Sequence, residues 1–254
     1  MAKRMRLLVL LVGLGWILGI ASNVIAEDPP AGDDKIKVVV LVGGHGYDAA
    51  GFKRLWDSYD DISMEVWKGA PYTVFDNVDD FKFDVICMFN LSSGINDAQK
   101  DNFLKLLDKG VGLFVWHHAL ANCQNWPEFE KIAGVKFWMK PGSREGKPVP
   151  KSGTGWGKLK MHIEDPNHPI TKGVADFEVP DETYNRQTFR DDIHLLVSTD
   201  HPRSDKPIAW VRTHGKARVF GYQSGHDDKT WSNEGFRRIM GQGIRWIAGR
   251  LPEK

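Results

Sequence analysis

Three short apolar runs constrain this chain most: Ile36-Lys-Val-Val-Val-Leu-Val42, Phe83-Asp-Val-Ile-Cys-Met-Phe89 and Val111-Gly-Leu-Phe-Val-Trp116. Runs this short and this continuously apolar read as strands covered on both faces, as in a parallel sheet. Helical spacing lies between them. Residues 51–59 place Phe52, Leu55, Trp56 and Tyr59 on one side, and 62–67 read as a second strand. Asn96-Asp97 is a cap for a helix whose apolar face is Phe103, Leu104, Leu106 and Leu107, stopped at Lys109-Gly110. A further helix opens at Pro127 and closes at Gly134. The repeat of strand and helix predicts an α/β fold with a doubly wound, mostly parallel sheet.

The pattern loosens after residue 140. Residues 140–157 are rich in glycine, proline and lysine with hardly an apolar side chain, and read as a long loop or flap over the crevice. Strands are expected at 158–163, 194–198, 208–213 and 218–222, and a closing helix over 233–250.

At the other end, Lys3, Arg4 and Arg6 precede an apolar stretch at residues 7–20 and a small-residue site ending at Ala26. This is the form of a signal peptide, too short to span a bilayer, and it predicts export to the periplasm or the medium with cleavage after Ala26. Residues 27–35 read as a disordered lead-in, leaving a single domain over 36–251. Without the three basic residues of the leader, 31 basic groups face 33 acidic ones, so no nucleic-acid partner is expected. Cleavage also leaves no membrane span. Two cysteines, Cys87 and Cys123, exclude a disulfide scaffold, while a single bridge between them stays open.

In an open parallel sheet the ligand crevice lies beyond the carboxyl ends of the strands. Three such ends carry histidine: Gly43-Gly-His45, Trp116-His117-His118 and Gln223-Ser-Gly-His226-Asp227. Imidazole is both a common metal ligand and a proton-transfer group near neutral pH, so the convergence points to metal binding or acid/base work. No nucleophile stands where acyl transfer needs one; His117 and His118 occupy that elbow and Cys123 comes too late. Among the tryptophans, Trp126, Trp138, Trp156 and Trp231 fall near loops that should overhang the crevice, where indole rings stack on sugars.

The segments Gly43-Gly-His45, Gly112-Leu-Phe-Val-Trp-His117-His-Ala119, Asn167-His-Pro-Ile-Thr-Lys-Gly173, Asp181-Glu-Thr-Tyr184, Pro207-Ile-Ala-Trp210 and Gly215-Lys-Ala-Arg-Val-Phe-Gly-Tyr-Gln-Ser-Gly-His226 resemble the ThuA-like family, named for trehalose utilisation. They cover almost the whole of the expected domain, with Ala217 where the family has glycine. The resemblance implies a flavodoxin-like fold akin to class I glutamine amidotransferases without their nucleophilic cysteine, and a small carbohydrate as partner. By motif it implies His117, Glu182, Tyr184 and His226 as catalytic residues. His45, His118, Trp126, Trp231 and Asp227 are expected to bind substrate. A divalent metal is a candidate cofactor, with His45, His117, Glu182 and His226 as its ligands.

Two functions follow as expectations. One is an enzyme, a hydrolase or lyase, that cleaves or rearranges a sugar derivative such as a keto-glycoside, whose carbonyl acidifies a neighbouring C–H bond. The other is a sugar-binding or scaffold protein that keeps the fold without catalysis. A glycosidase with paired acids is disfavoured, since only Asp227 and Asp228 sit at a strand end.

Overall fold

The computed structural model describes residues 35–253; the expected leader, and all of the lead-in but Lys35, lie outside the described residues. In chain order the elements are β1 (Ile36–Gly43), α1 (Ala49–Asp57), β2 (Ile62–Val66), β3 (Val85–Asn90), α2 (Asp97–Lys109), β4 (Gly112–Trp116) and α3 (Pro127–Ala133). Then come β5 (Val135–Lys136), β6 (Gly142–Arg144), β7 (Lys147–Val149), β8 (Gly153–Ile163), β9 (Phe177–Asn185) and β10 (Thr188–Phe189). The chain closes with β11 (His194–Ser198), β12 (Pro207–His214), β13 (Ala217–Tyr222), α4 (Asp228–Trp231) and α5 (Glu234–Ile247).

Nine strands form one sheet in the order β2-β1-β3-β4-β13-β12-β11-β8-β9. The strands from β2 to β13 are parallel, and from β12 outward each neighbour is antiparallel. Successive side chains of the parallel strands point to opposite faces and feed two cores. Val38, Val40, Cys87 and Phe89 pack with Phe52 and Leu55 of α1 and Phe236 and Ile239 of α5. Val39, Leu41, Ile86 and Met88 pack with Phe103 and Leu107 of α2 and Phe129 and Ile132 of α3. Helices therefore cover both faces of a mostly parallel central sheet, the doubly wound α/β arrangement predicted from the strand and helix pattern. Among the described residues, no helix is long and apolar enough to cross a membrane.

Local chemistry accounts for the helix ends. Asn96 and Gln99 form a reciprocal capping box at the start of α2, with bonds of 2.9 and 3.0 Å. Asn233 caps α5 by accepting the Phe236 amide at 3.1 Å.

Three expectations change. Residues 140–157 are not one irregular loop: β6 pairs with β7, and β8 already begins at Gly153. Ser152, at their junction, is buried and ties Trp138 to Arg186 through its hydroxyl. The acidic stretch around Glu182, for which no element is expected from the sequence, is a strand. Pro180 masks it in the sequence, yet β9 is the last strand of the sheet, where a missing N–H is tolerated. Finally, the open question of a disulfide is answered: Cys87 and Cys123 are both free, and they belong to the cores on opposite faces of the sheet.

The β8–β9 ribbon positions the site. β8 pairs with β9 along nine positions, Gly153 to Met161, but with β11 only at His162 and Ile163. Most of the ribbon thus projects past the sheet, with Glu182 opposite Trp156 and Tyr184 opposite Thr154.

Candidate active site

His117 sits at the carboxyl end of β4 with φ +52°, a left-handed backbone that costs a non-glycine residue about 1–3 kcal/mol. That turn starts a short 3-10 helix, His117–Ala121, and directs the fully buried imidazole across to β13. There the Nδ1–H of His117 donates to the Gln223 carbonyl at 2.7 Å. This bond fixes the tautomer and leaves the lone pair on Nε2.

Around that lone pair the other groups converge. His117 Nε2 lies 3.1 Å from His226 Nδ1 and 3.3 Å from Glu182 Oε2, and His226 Nδ1 lies 3.3 Å from the same carboxylate oxygen. The Tyr184 hydroxyl is 3.5 and 3.3 Å from the two nitrogens of His117, so it faces the ring and not one lone pair. Burial works against ionisation of Glu182, yet the neighbouring imidazoles of His117 and His226 hold its carboxyl below the usual range. The hydrogen bond that His226 donates to this carboxylate raises the imidazole in turn. Burial, reinforced by the charges of Glu182 and Asp181, pushes Tyr184 far up, so its hydroxyl keeps its proton.

His118 and His45 form a second pair beside this cluster. His118 Nε2–H donates to the Phe89 carbonyl at 3.0 Å, and its buried Nδ1 has no partner. Burial, then the neighbouring His117 and His45, push it down to about 2, so it is neutral. The exposed ring of His45 stacks on it with centroids 4.5 Å apart. Nδ1–H of His45 donates to the Gly46 carbonyl at 2.7 Å, which leaves Nε2 as the basic nitrogen. Gly44 makes this placement feasible: its φ is +76°, and a Cβ there would stand 1.9 Å from the Leu91 carbonyl oxygen.

A cleft of about 280 Å³ opens on these groups, lined by His45, His118, Phe137, Lys151, Glu182 and Tyr184 among others. Its walls mix apolar surface with a few convergent polar atoms, the usual make-up of a small-molecule site.

The family model described as trehalose utilisation, ThuA, matches residues 37–247. The chain belongs to the ThuA family. A ThuA-like protein from Parabacteroides merdae has the same fold, with a TM-score of 0.71 and 19% identity over 87% of this chain and 92% of that one. One from Bacteroides uniformis gives 0.61 and 21% over 87% and 95%. A β-galactosidase from Rahnella sp. R3 gives 0.54 and 9%, covering 86% of this chain but 32% of that one, a likeness of fold alone. A search of curated proteins finds no match.

Within this ThuA domain the structure brings together His117, Glu182, Tyr184 and His226, with His45 and His118 on the cleft wall. Of the four expected metal ligands, His45 stands apart: among the described residues, only His117, Glu182 and His226 form a ligand-competent group. Its loop folds so that the ring packs on His118 instead. Three expected substrate contacts, Trp231, Trp126 and Asp227, do not line the cleft. Trp231 is 1% exposed, donates its Nε1–H to the Gly225 carbonyl at 2.8 Å and packs on Phe52, Phe89 and Trp116. Trp126 caps α3 and packs on Phe103 and Phe129. Asp227 caps α4 by accepting the Lys229 amide at 3.0 Å. Trp156 does stand beside the cluster, 48% exposed, its ring 4.6 Å from that of His226.

Asp181 is the residue that sequence reasoning passed over. Fully buried, it accepts from the Ser224 hydroxyl, the Gly225 amide at 2.7 Å and the His226 amide at 3.1 Å. Its place in the Asp181-Glu-Thr-Tyr184 motif was the available signal. The amidotransferase exclusion is consistent with Cys123, whose thiol is buried and pushed up to about 11 by that burial.

Proposed function

We propose that this chain is an exported enzyme that cleaves or rearranges a carbohydrate derivative, a keto-glycoside being the class its chemistry suits. The observation that carries this reading is the triangle of buried His117 with half-buried Glu182 and His226, with contacts of 3.1–3.3 Å, whose Glu182 lines a cleft of sugar size. The family's description as trehalose utilisation supports a carbohydrate, and the expected leader supports export.

The residues divide the work as follows. Nε2 of His45, free on the cleft wall, takes the proton from the carbon beside the ketone. The electron pair of that C–H bond forms the enolate, whose oxygen is stabilised by the protonated His226 of the triangle; a cation held by these three residues would supply the same positive charge. The pair then returns to break the neighbouring C–O bond to the aglycone, and the departing oxygen takes a proton from the Tyr184 hydroxyl. An unsaturated ketone and an alcohol result, and addition of water to the former completes a net hydrolysis. His118 and Lys151 are placed to bind hydroxyls, and Trp156 to stack on a second ring.

The test is turnover of a keto-disaccharide, followed by release of the free sugar and by exchange of the α-proton with solvent deuterium. His45→Ala is expected to abolish exchange, and Glu182→Gln to lower release by about 10²-fold or more. Full turnover and exchange in both variants overturns the reading.

A further inference from the structure

We propose that His117, Glu182 and His226 bind one divalent transition-metal ion. The argument is a count of protons. His117 spends its Nδ1–H on the Gln223 carbonyl, so its Nε2 is an acceptor. An ionised Glu182 has acceptors only. These two acceptors nevertheless face each other at 3.3 Å. His226 brings one proton on Nδ1, 3.1 Å from one and 3.3 Å from the other, and a single proton cannot lie on both lines. Lone pairs this close repel one another unless a positive centre sits among them, and a cation at the middle of the triangle supplies it.

The geometry fits a cation. Ligands about 2.0–2.2 Å from a metal with angles near 90–110° stand about 3.0–3.5 Å from one another, which is the spacing of this triangle. The carbonyl of Gln223 is the outer partner that a ligating imidazole needs, and it is itself held, since the Gln223 side chain bonds to Gln187 at 2.9 Å and to Ser204 at 3.2 Å. Two imidazoles and one carboxylate select zinc, manganese, iron, cobalt or nickel; calcium and magnesium prefer all-oxygen sets, and copper(I) prefers sulfur. Among the described residues no fourth histidine, cysteine or carboxylate joins the three, so the remaining positions fall to water or substrate oxygen. The ion would supply a Lewis acid for a ketone oxygen. This inference concerns the same site as the proposed function but does not depend on its substrate.

The test uses the untagged full chain, stripped with chelator and titrated with Co²⁺, Zn²⁺ and Mn²⁺ by calorimetry, with the visible spectrum of the Co²⁺ form and the melting temperature as further readouts. The expected result is one equivalent of at least one ion, a rise in melting temperature, and an affinity at least about 100-fold weaker in Glu182→Gln and His226→Asn. His162→Ala, at a half-buried histidine away from the site and flanked by Asp176 and Asp200, is expected to change nothing. If the site variants fail to fold, ring ¹⁵N NMR of the wild type decides: metal shifts Nε2 of His117 while Nδ1 keeps its proton. No saturable one-to-one binding below about 1 mM by any of the three ions, or a His117 ring protonated on both nitrogens and indifferent to metal, overturns the proposal. Binding without turnover of the keto-disaccharide leaves the metal site standing and removes the proposed reaction. Turnover in chelator together with no binding in the titration does the reverse.

Discussion

Asp181 holds His226 by its backbone: the buried carboxylate accepts the His226 amide at 3.1 Å, from the position immediately before Glu182. The same carboxylate accepts the amides of Gly225 at 2.7 Å and Glu182 at 2.8 Å. One side chain therefore fixes the carboxylate and the imidazole of the triangle relative to each other, across the gap between β9 and the loop after β13.

Asp181→Asn is expected to destabilise the fold by about 2–4 kcal/mol, because an amide group replaces one of two acceptor oxygens in a buried, fully used network. Activity should fall further than stability accounts for, through loss of the His226 position. Urea unfolding together with kcat at a temperature where the variant is folded measures both. Wild-type kcat in a folded variant would show that the loop is placed by other contacts.

Trp156→Ala should leave the melting temperature within a degree or two, since the ring is 48% exposed and surface substitutions are mostly worth under about 0.5 kcal/mol. Loss of a stacking face should weaken a disaccharide by about 5- to 10-fold while a monosaccharide is unaffected. Calorimetry with both ligands checks it, and equal effects on the two would place the second ring elsewhere.

His168 gives the pH dependence. It is 5% exposed, and burial, then the charge of His194, push it down to about 4. Below pH 6.5 the unfolded chain takes up a proton that the folded chain refuses until about pH 4, so its contribution to stability is whole above that window and is lost as pH falls through it. His168 Nδ1 accepts the Ile170 amide at 3.1 Å, a turn that asparagine reproduces. His168→Asn should therefore fold, and its stability should fall less steeply between pH 6.5 and 4, by up to one proton's worth of slope. Identical slopes would exclude His168 as a source of acid sensitivity.

The thiols supply a simple check on the fold. Burial raises Cys87 well above its ordinary value and lifts Cys123 to about 11, so neither should react with a thiol reagent in native protein at pH 8. Both should react after denaturation without reductant, because both are free. Reaction of neither in the denatured chain would reveal a bridge.

The fold was legible where a local period carried it. The runs at β1, β3 and β4 sit between two cores and are apolar at nearly every position, and Asn96 with Gln99 announces α2 by its capping box. The histidines were legible because strand ends are fixed by the same runs. Glu182 and Tyr184 entered only through family resemblance, for their strand alternates around Pro180 with buried Asp181 and Thr183 on its inner positions, the reverse of an apolar core face. Trp231 and Trp126 were misplaced because nothing local distinguishes an indole that fills a core from one that rims a cleft. That depends on Phe52, Phe89 and Phe103, which are far away in sequence.

The ribbon of β8 and β9 meets β11 only at His162 and Ile163, while His117 and His226 are rooted in the parallel strands. The site is therefore a vice with one fixed jaw and one fitted jaw. Substitutions along the ribbon at Thr154 or Trp156 alter what is gripped without touching the backbone that seats the imidazoles. A lineage carrying this architecture can change what the cleft accepts at these two positions of one hairpin while the seat of the imidazoles stays as it is.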